Sequence, residues 1–329
     1  MTNLDRAAIV WSIGIVAVAI GIAYLGQDTP SQLISEPQRS LEKSVFFTLQ
    51  GQDSIGNLDG TIIKAGPQMT YLAVSSDSNL VLATSSASNT VFAYGNDGKP
   101  ITSILVGKTP KGVMINPERN LAFVANENSG SLSVIDTKTF QVTKEISVGV
   151  TPHNIRFSPD GSIAYVTIQG GDEVAVIDVQ TLEKTHSISV GRLPHNLDVT
   201  PDGRYLFTTN IGTNDIAVID LASNNVIKRI PISTGHHGID VSPDGKRIYA
   251  SGIGSDLVSV IDFDSLQKIK TLTVGKGPHG LRTSLDGSTL YVGVTQTNEI
   301  VVIDTQSLTI KENLQIGKVP FWISIPGNS

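Results

Sequence analysis

No cysteine occurs in the 329 residues of this chain. That absence removes disulfides, thiolate-held zinc, iron–sulfur clusters and thioether-linked haem, and it leaves the redox compartment open. Charge is sparse as well: 16% of residues are charged, with a net of −6. Without a basic stripe to release phosphate counterions, a nucleic-acid partner is not expected. Catalytic signatures are missing too. There is no Gly-x-Ser-x-Gly elbow, no His-Glu-x-x-His helix and no phosphate-cradling loop between a strand and a helix. No Asn-x-Ser/Thr acceptor is present. Across residues 44–329, no 11-residue window has helical periodicity.

What is there repeats. His153, His195, His237 and His279 follow one another at intervals of 42 residues. Ser158-Pro159-Asp160-Gly161 returns as Thr200-Pro201-Asp202-Gly203, Ser242-Pro243-Asp244-Gly245 and Ser284-Leu285-Asp286-Gly287. Ile-Asp pairs end at Asp136, Asp178, Asp220, Asp262 and Asp304. A fixed period near 40 residues points to a propeller or a solenoid. Inside one unit the pattern is all strand. Residues 154–158, 163–168, 173–178 and 184–190 are short, Val- and Ile-rich runs separated by turn residues, with Pro presetting φ and Gly accepting φ > 0. Four strands per 42 residues match a propeller blade.

Six blades begin near Tyr71, Lys111, His153, His195, His237 and His279. A lone C-terminal strand (321–325) and two N-terminal ones (45–50 and 61–65) are left over. Joined, they predict a seventh blade that closes the ring and removes the exposed edges of a linear array. Six blades is the alternative. With 40% hydrophobic residues, residues 44–329 can supply the core of such a domain.

Ala7 to Leu25 carries no charge. As a helix it would span about 28 Å, close to the thickness of a bilayer core. Arg6 precedes it, so residues 1–6 are expected in the cytoplasm and the propeller outside. Residues 26–43, with Pro30, Pro37 and several Ser and Gln, read as a tether. A cleaved signal peptide and a secreted propeller is the other reading.

The second strands carry Ala164-Tyr165-Val166-Thr167, Leu290-Tyr291-Val292-Gly293 and Ile248-Tyr249-Ala250-Ser251. Gly-x-x-Pro-His segments such as Gly275 to His279 precede the blades, and Val-Ile-Asp strands follow. From Tyr71 to Ile325 the chain resembles the YVTN-type β-propeller family. The resemblance implies the fold and a surface or secreted protein; it assigns no chemistry.

The innermost strand of each blade lines the central channel, so the four repeat histidines should gather at one mouth. Lys111 and Phe321 hold the same position in two other blades, and His236 adds a fifth imidazole. Neutral imidazoles suit a transition metal such as copper or zinc. The other reading makes Pro-His a structural repeat element, each imidazole bonding the next blade's backbone. Three residues deeper lie Arg156, Asp198, Asp240 and Arg282, an order that allows two ion pairs between adjacent blades or a polar pocket for a small anion or carbohydrate. The repeated aspartates read as turn caps, and His186 as a solvated strand residue. Together these features predict an all-β, membrane-anchored binding module at the cell surface, rather than an enzyme. Its partner would be a surface protein, a glycan or a small molecule. The alternative is an extracytoplasmic metalloprotein, redox or hydrolytic.

Overall fold

The computed structural model describes residues 45–327, apart from the side chains of His236 and His237. The expected membrane span (7–25) and tether (26–43) lie outside the described residues. Within those residues no helix is long and apolar enough to cross a membrane.

Twenty-eight strands form seven four-stranded sheets, each the blade of a propeller. Blades 1 to 6 are consecutive in sequence. Their innermost strands are Met69–Val74, Pro110–Ile115, Pro152–Phe157, Pro194–Val199, His236–Val241 and Pro278–Thr283. Blade 7 joins both ends of the chain: Pro320–Ser324 is its innermost strand and pairs antiparallel with Phe46–Leu49, with Phe47 opposite Ile323. The expected closure is therefore present, with one correction. The N-terminal segment contributes three strands rather than two, the extra one being Ser54–Asn57. Its four residues include Gly56 and Asn57, poor strand formers. Pairing on both sides holds it, and Gly56 is needed because a Cβ there would lie 2.6 Å from the Phe47 ring.

Local sequence explains the blade. The two middle strands are buried on both faces, so Ile163–Ile168 and Glu173–Asp178 read as nearly continuous apolar runs. Outer strands such as Gln141–Ser147 alternate and are mostly exposed. The apolar clusters lie between blades rather than within them. Phe123, Ala125 and Val134 of blade 2 pack on Ile155, Val166 and Ile177 of blade 3.

Hydroxyls of the second strands then tie neighbouring blades together. Thr167 Oγ1 donates to the carbonyl of His195 in the next blade at 2.9 Å, and Thr84 Oγ1 to that of Lys111 at 2.8 Å. Ser251 does the same to His279. The Thr of the repeat signature is thus an inter-blade tie.

The repeated aspartates cap turns. Asp178 Oδ1 accepts from the Thr181 amide at 2.7 Å, and Asp136, Asp220, Asp262 and Asp304 each accept from the residue three positions on. These bonds hold all five carboxyls below the ordinary carboxylate range. The chief cause is the turn amide, except at Asp262, where the Ser265 hydroxyl comes first. His186 is exposed, as its place on an outer strand implies.

Candidate functional site

The seven innermost strands run in the same direction down the channel, and equivalent positions form layers. The strands begin at one mouth of the channel, the near mouth, and end at the other, the far mouth.

The first layer holds His153, His195 and His279; the side chains of His237 and His236, expected with them, lie outside the described part of the structure. His153 and His195, from adjacent blades, bring their ring centroids to 3.9 Å, and His195 and His279 to 6.2 Å. All three are buried, at 6%, 7% and 1% exposure. They gather about the axis as the spacing implied, but beneath the surface of the mouth rather than on it. Phe321 of blade 7 stacks on His279 at 3.8 Å, and its carbonyl accepts from His279 Nδ1 at 2.8 Å. That bond to the next blade is the one the structural reading of Pro-His expected. Lys111 is engaged elsewhere, in an ion pair with Glu127 at 3.2 Å.

These bonds fix hydrogens. A carbonyl only accepts, so His279 carries its proton on Nδ1. His195 Nδ1 instead lies 3.0 Å from Asn196 Nδ2, an amide donor, so neutral His195 carries its proton on Nε2. Asn196 is held in that orientation because its carbonyl oxygen accepts from Asn154 of the preceding blade. The two neutral imidazoles are therefore opposite tautomers. Among the described residues no group of three His, Cys, Asp or Glu is placed to hold a metal.

Two aromatic residues at the adjoining position were not singled out from sequence. Tyr71 of blade 1 reaches across the channel, with its ring 5.6 Å from that of His153 in blade 3 and 4.6 Å from that of Trp322 in blade 7. Burial keeps its phenol protonated far above the ordinary range. Other blades have Gly or Asn here. At Gly280 a Cβ would lie 2.7 Å from the Trp322 Cα, so the innermost strands pack almost backbone to backbone. The signal was an aromatic residue where the repeat demands a small or amide side chain.

Below this plug comes the charged layer, and both expected pairs form. Arg156 Nε lies 3.0 Å from Asp198 Oδ1, and Arg282 Nη1 lies 3.5 Å from Asp240 Oδ1. The first contact is off the line of the N–H bond, so it is an attraction of charges without a hydrogen bond. The carboxylates also serve the next blade: Asp198 Oδ2 accepts from the Val241 amide and Asp240 Oδ2 from the Thr283 amide, each at 2.8 Å. Arg282 is fully buried, donates to the Ile239 carbonyl at 3.0 Å, and sits 4.8 Å above the Trp322 ring. Burial raises the Asp240 carboxyl above the ordinary range, Arg282 opposing and Asp198 adding to the shift. Burial likewise lowers Arg282, to about 10.

The third layer is a cavity of about 380 Å³ that opens at the far mouth. Its rim is Pro117, Pro159, Pro201, Pro243 and Leu285, one residue from each of five blades. Phe157, Val199 and Val241 form walls, and Arg156 and Asp198 the floor. Sequence reading took the Pro-Asp-Gly turns as punctuation only. Their prolines are also a ring, because the turns converge on the axis.

Residues 160–287 match the family model of the YNCE-like β-propellers, so the YVTN-type resemblance is borne out there. No curated protein matches the chain. Many solved structures are similar to it, including the following two. One is hydrazine synthase from Kuenenia stuttgartiensis, at 23% identity and a TM-score of 0.73, covering 83% of this chain and 94% of that one. The other, from Desulfotomaculum acetoxidans DSM 771 and described as functionally unknown, is 18% identical with a TM-score of 0.75, over 85% of this chain and 98% of that one. At these identities the likeness is one of fold.

The charged layer can be tested directly. Arg282→Met should cost about 3–5 kcal/mol at pH 7, because Asp240 is left as an uncompensated buried charge. Arg282→Met/Asp240→Asn should recover most of that loss. The folded Asp240 carboxyl binds its proton more readily than the unfolded one. Its contribution to stability is therefore greatest below about pH 4 and is lost as pH rises through the folded value. The single variant should accordingly lose less at pH 5 than at pH 7. Urea unfolding at both pH values measures this; a double variant as unstable as the single one would contradict it.

Proposed function

We propose that this chain is a membrane-tethered, extracytoplasmic binding module whose ligand seat is the far-mouth cavity. The cavity is the observation that carries the reading. At about 380 Å³ it falls within the usual range for small-molecule sites, and like them it joins apolar walls to a few fixed polar groups. It is also a blind pocket: the Tyr71–Trp322 plug and the histidine layer fill the channel behind it. A rigid ring with a closed-ended pocket suits recognition.

The tether and the outward orientation rest on sequence, on the uncharged stretch from Ala7 to Leu25 and on Arg6 before it. A chain without cysteine offers a clean test. In the full-length Lys138→Cys variant, the new thiol sits in an exposed turn. It should react with a membrane-impermeant maleimide while cells are intact, and the labelled chain should sediment with membranes at its full mass. Labelling only after lysis would overturn the orientation, and a shortened soluble chain would overturn the anchor.

A second reading, a copper or zinc protein built on His153, His195, His237 and His279, draws support from the convergence of the imidazoles. Against it stands the bonding of His195: its Nδ1 lone pair accepts from Asn196 and its Nε2 carries the proton, so neither nitrogen of the neutral ring is bare for an ion. Untagged protein should therefore carry no stoichiometric metal after dialysis. One equivalent of copper or zinc, lost in His195→Ala, would favour the metalloprotein instead.

A further inference from the structure

We infer that the far mouth docks a basic segment of another protein: one large apolar side chain fills the cavity, and Lys or Arg residues on either side of it lie against the carboxylates around the rim. This rests on the reading of that cavity as the ligand seat, and it names the partner.

The cavity itself selects an uncharged group. Its rim is apolar, with Pro117, Pro159, Pro201 and Leu285 exposed, and Phe157, Val199 and Val241 wall it. On the floor Asp198 faces Arg156, and its two oxygens also accept from the Val199 and Val241 amides. A cation placed there would give up water for a carboxylate that is already matched. Ser76, which stands where other blades have the rim proline, is exposed and offers a hydroxyl at the edge, where a peptide backbone can meet it. At about 380 Å³ the space suits one aromatic or branched aliphatic side chain, the kind that anchors interfaces.

Outside the rim the sign is negative. The next residue in the turn is an exposed carboxylate in each of blades 1 to 6: Asp77, Glu118, Asp160, Asp202, Asp244 and Asp286. The hydroxyl two residues earlier holds Asp77, Asp160, Asp202 and Asp286 below the ordinary carboxylate range, so they stay ionised through mildly acidic pH. Third strands run in the same direction as the innermost ones, so the five aspartates that end them form a second ring on this face. The turns of both rings contain fewer cations: Arg119, Lys138, Arg204 and Lys246. Two more approach from flanking strands, where Arg247 is bonded to the Thr305 carbonyl and Lys311 pairs with Asp304 at 3.0 Å. Carboxylates therefore remain in excess.

The positive charges of an occupant must then lie outside the cavity, on a body wider than the cavity can hold. A polypeptide meets that condition and a small molecule does not. The near mouth repels the same segment, because its entry loops carry exposed Lys108, Arg192, Lys276 and Lys318. The two mouths differ in sign, and a basic partner is steered to one.

The test titrates the full chain, in phosphatidylcholine nanodiscs of no net charge, with four probes. They are the peptide acetyl-GKKWKKG-amide, its acidic counterpart GEEWEEG, its anchorless counterpart GKKGKKG, and toluene; empty nanodiscs set the baseline. Affinity is read by calorimetry, and position on the methyl resonances of Val199 and Val241. The basic Trp peptide should bind about tenfold tighter than either control peptide and shift both methyls. In Asp160→Ser/Asp202→Ser/Asp286→Ser a hydroxyl can still cap each turn. Its preference for the basic over the acidic peptide should fall about fivefold while methyl shifts elsewhere stay native. Should the acidic or the anchorless peptide bind as tightly as the basic Trp peptide, or the triple variant keep the full preference, the inference falls. The seat stands in that case if toluene still moves the two methyls. Should neither toluene nor any peptide move them, the seat itself falls as well.

Discussion

An isolated propeller blade leaves both faces of its sheet exposed, and only neighbours on each side can bury them. The architecture comes from satisfying that demand all the way round. The pairing of Phe46–Leu49 with Pro320–Ser324 supplies the last neighbour, placing Val45, Phe47 and Leu49 against Tyr291 and Ile300 of blade 6. On the other side, Phe46 and Trp322 pack with blade 1. Each innermost strand still has one edge free of sheet pairing, but in the closed ring that edge faces the channel, where it cannot template association. Closure also fixes the axis on which the layers of side chains meet, so the site is a consequence of topology.

The channel is not uniform along its length. Near one end imidazoles and aromatic rings fill it, bonded to one another and to neighbouring backbones. In the middle, two ion pairs are buried where removing one partner is far costlier than keeping both. Only the far end keeps space. This gradient comes from which side chain each blade contributes at each successive position, and the departures from the repeat carry most of it. Tyr71 and Trp322 stand where other blades have Gly or Asn, and Leu285 stands where four blades have Pro.

The fold was largely legible in the sequence because it rests on periodic features. Turn residues recur at fixed offsets, strands are short and Val- and Ile-rich, and the leftover strands at the two ends ask to be joined. The strand at Ser54–Asn57 was hidden because tertiary pairing, not propensity, makes it. At the site, the pairing of Arg156 with Asp198 and of Asp240 with Arg282 could be read from charge order alone, since adjacent blades place these residues at one height. The hydrogen-bond state of His195 and His279 could not, because it depends on the orientation of Asn196 and on a backbone carbonyl. Nor could the cavity, which requires knowing that the plug stops short of the far mouth.

Ring closure by the two termini is the claim on which the rest stands, and native-state amide hydrogen exchange tests it most directly. Hydrogen-bonded amides of Phe46–Leu49 and of Phe321–Ser324 should exchange only through global unfolding, with the protection seen in the middle strands, such as at Val166. Exchange of these amides orders of magnitude faster, while Val166 stays protected, would mean an open ring and would contradict the account.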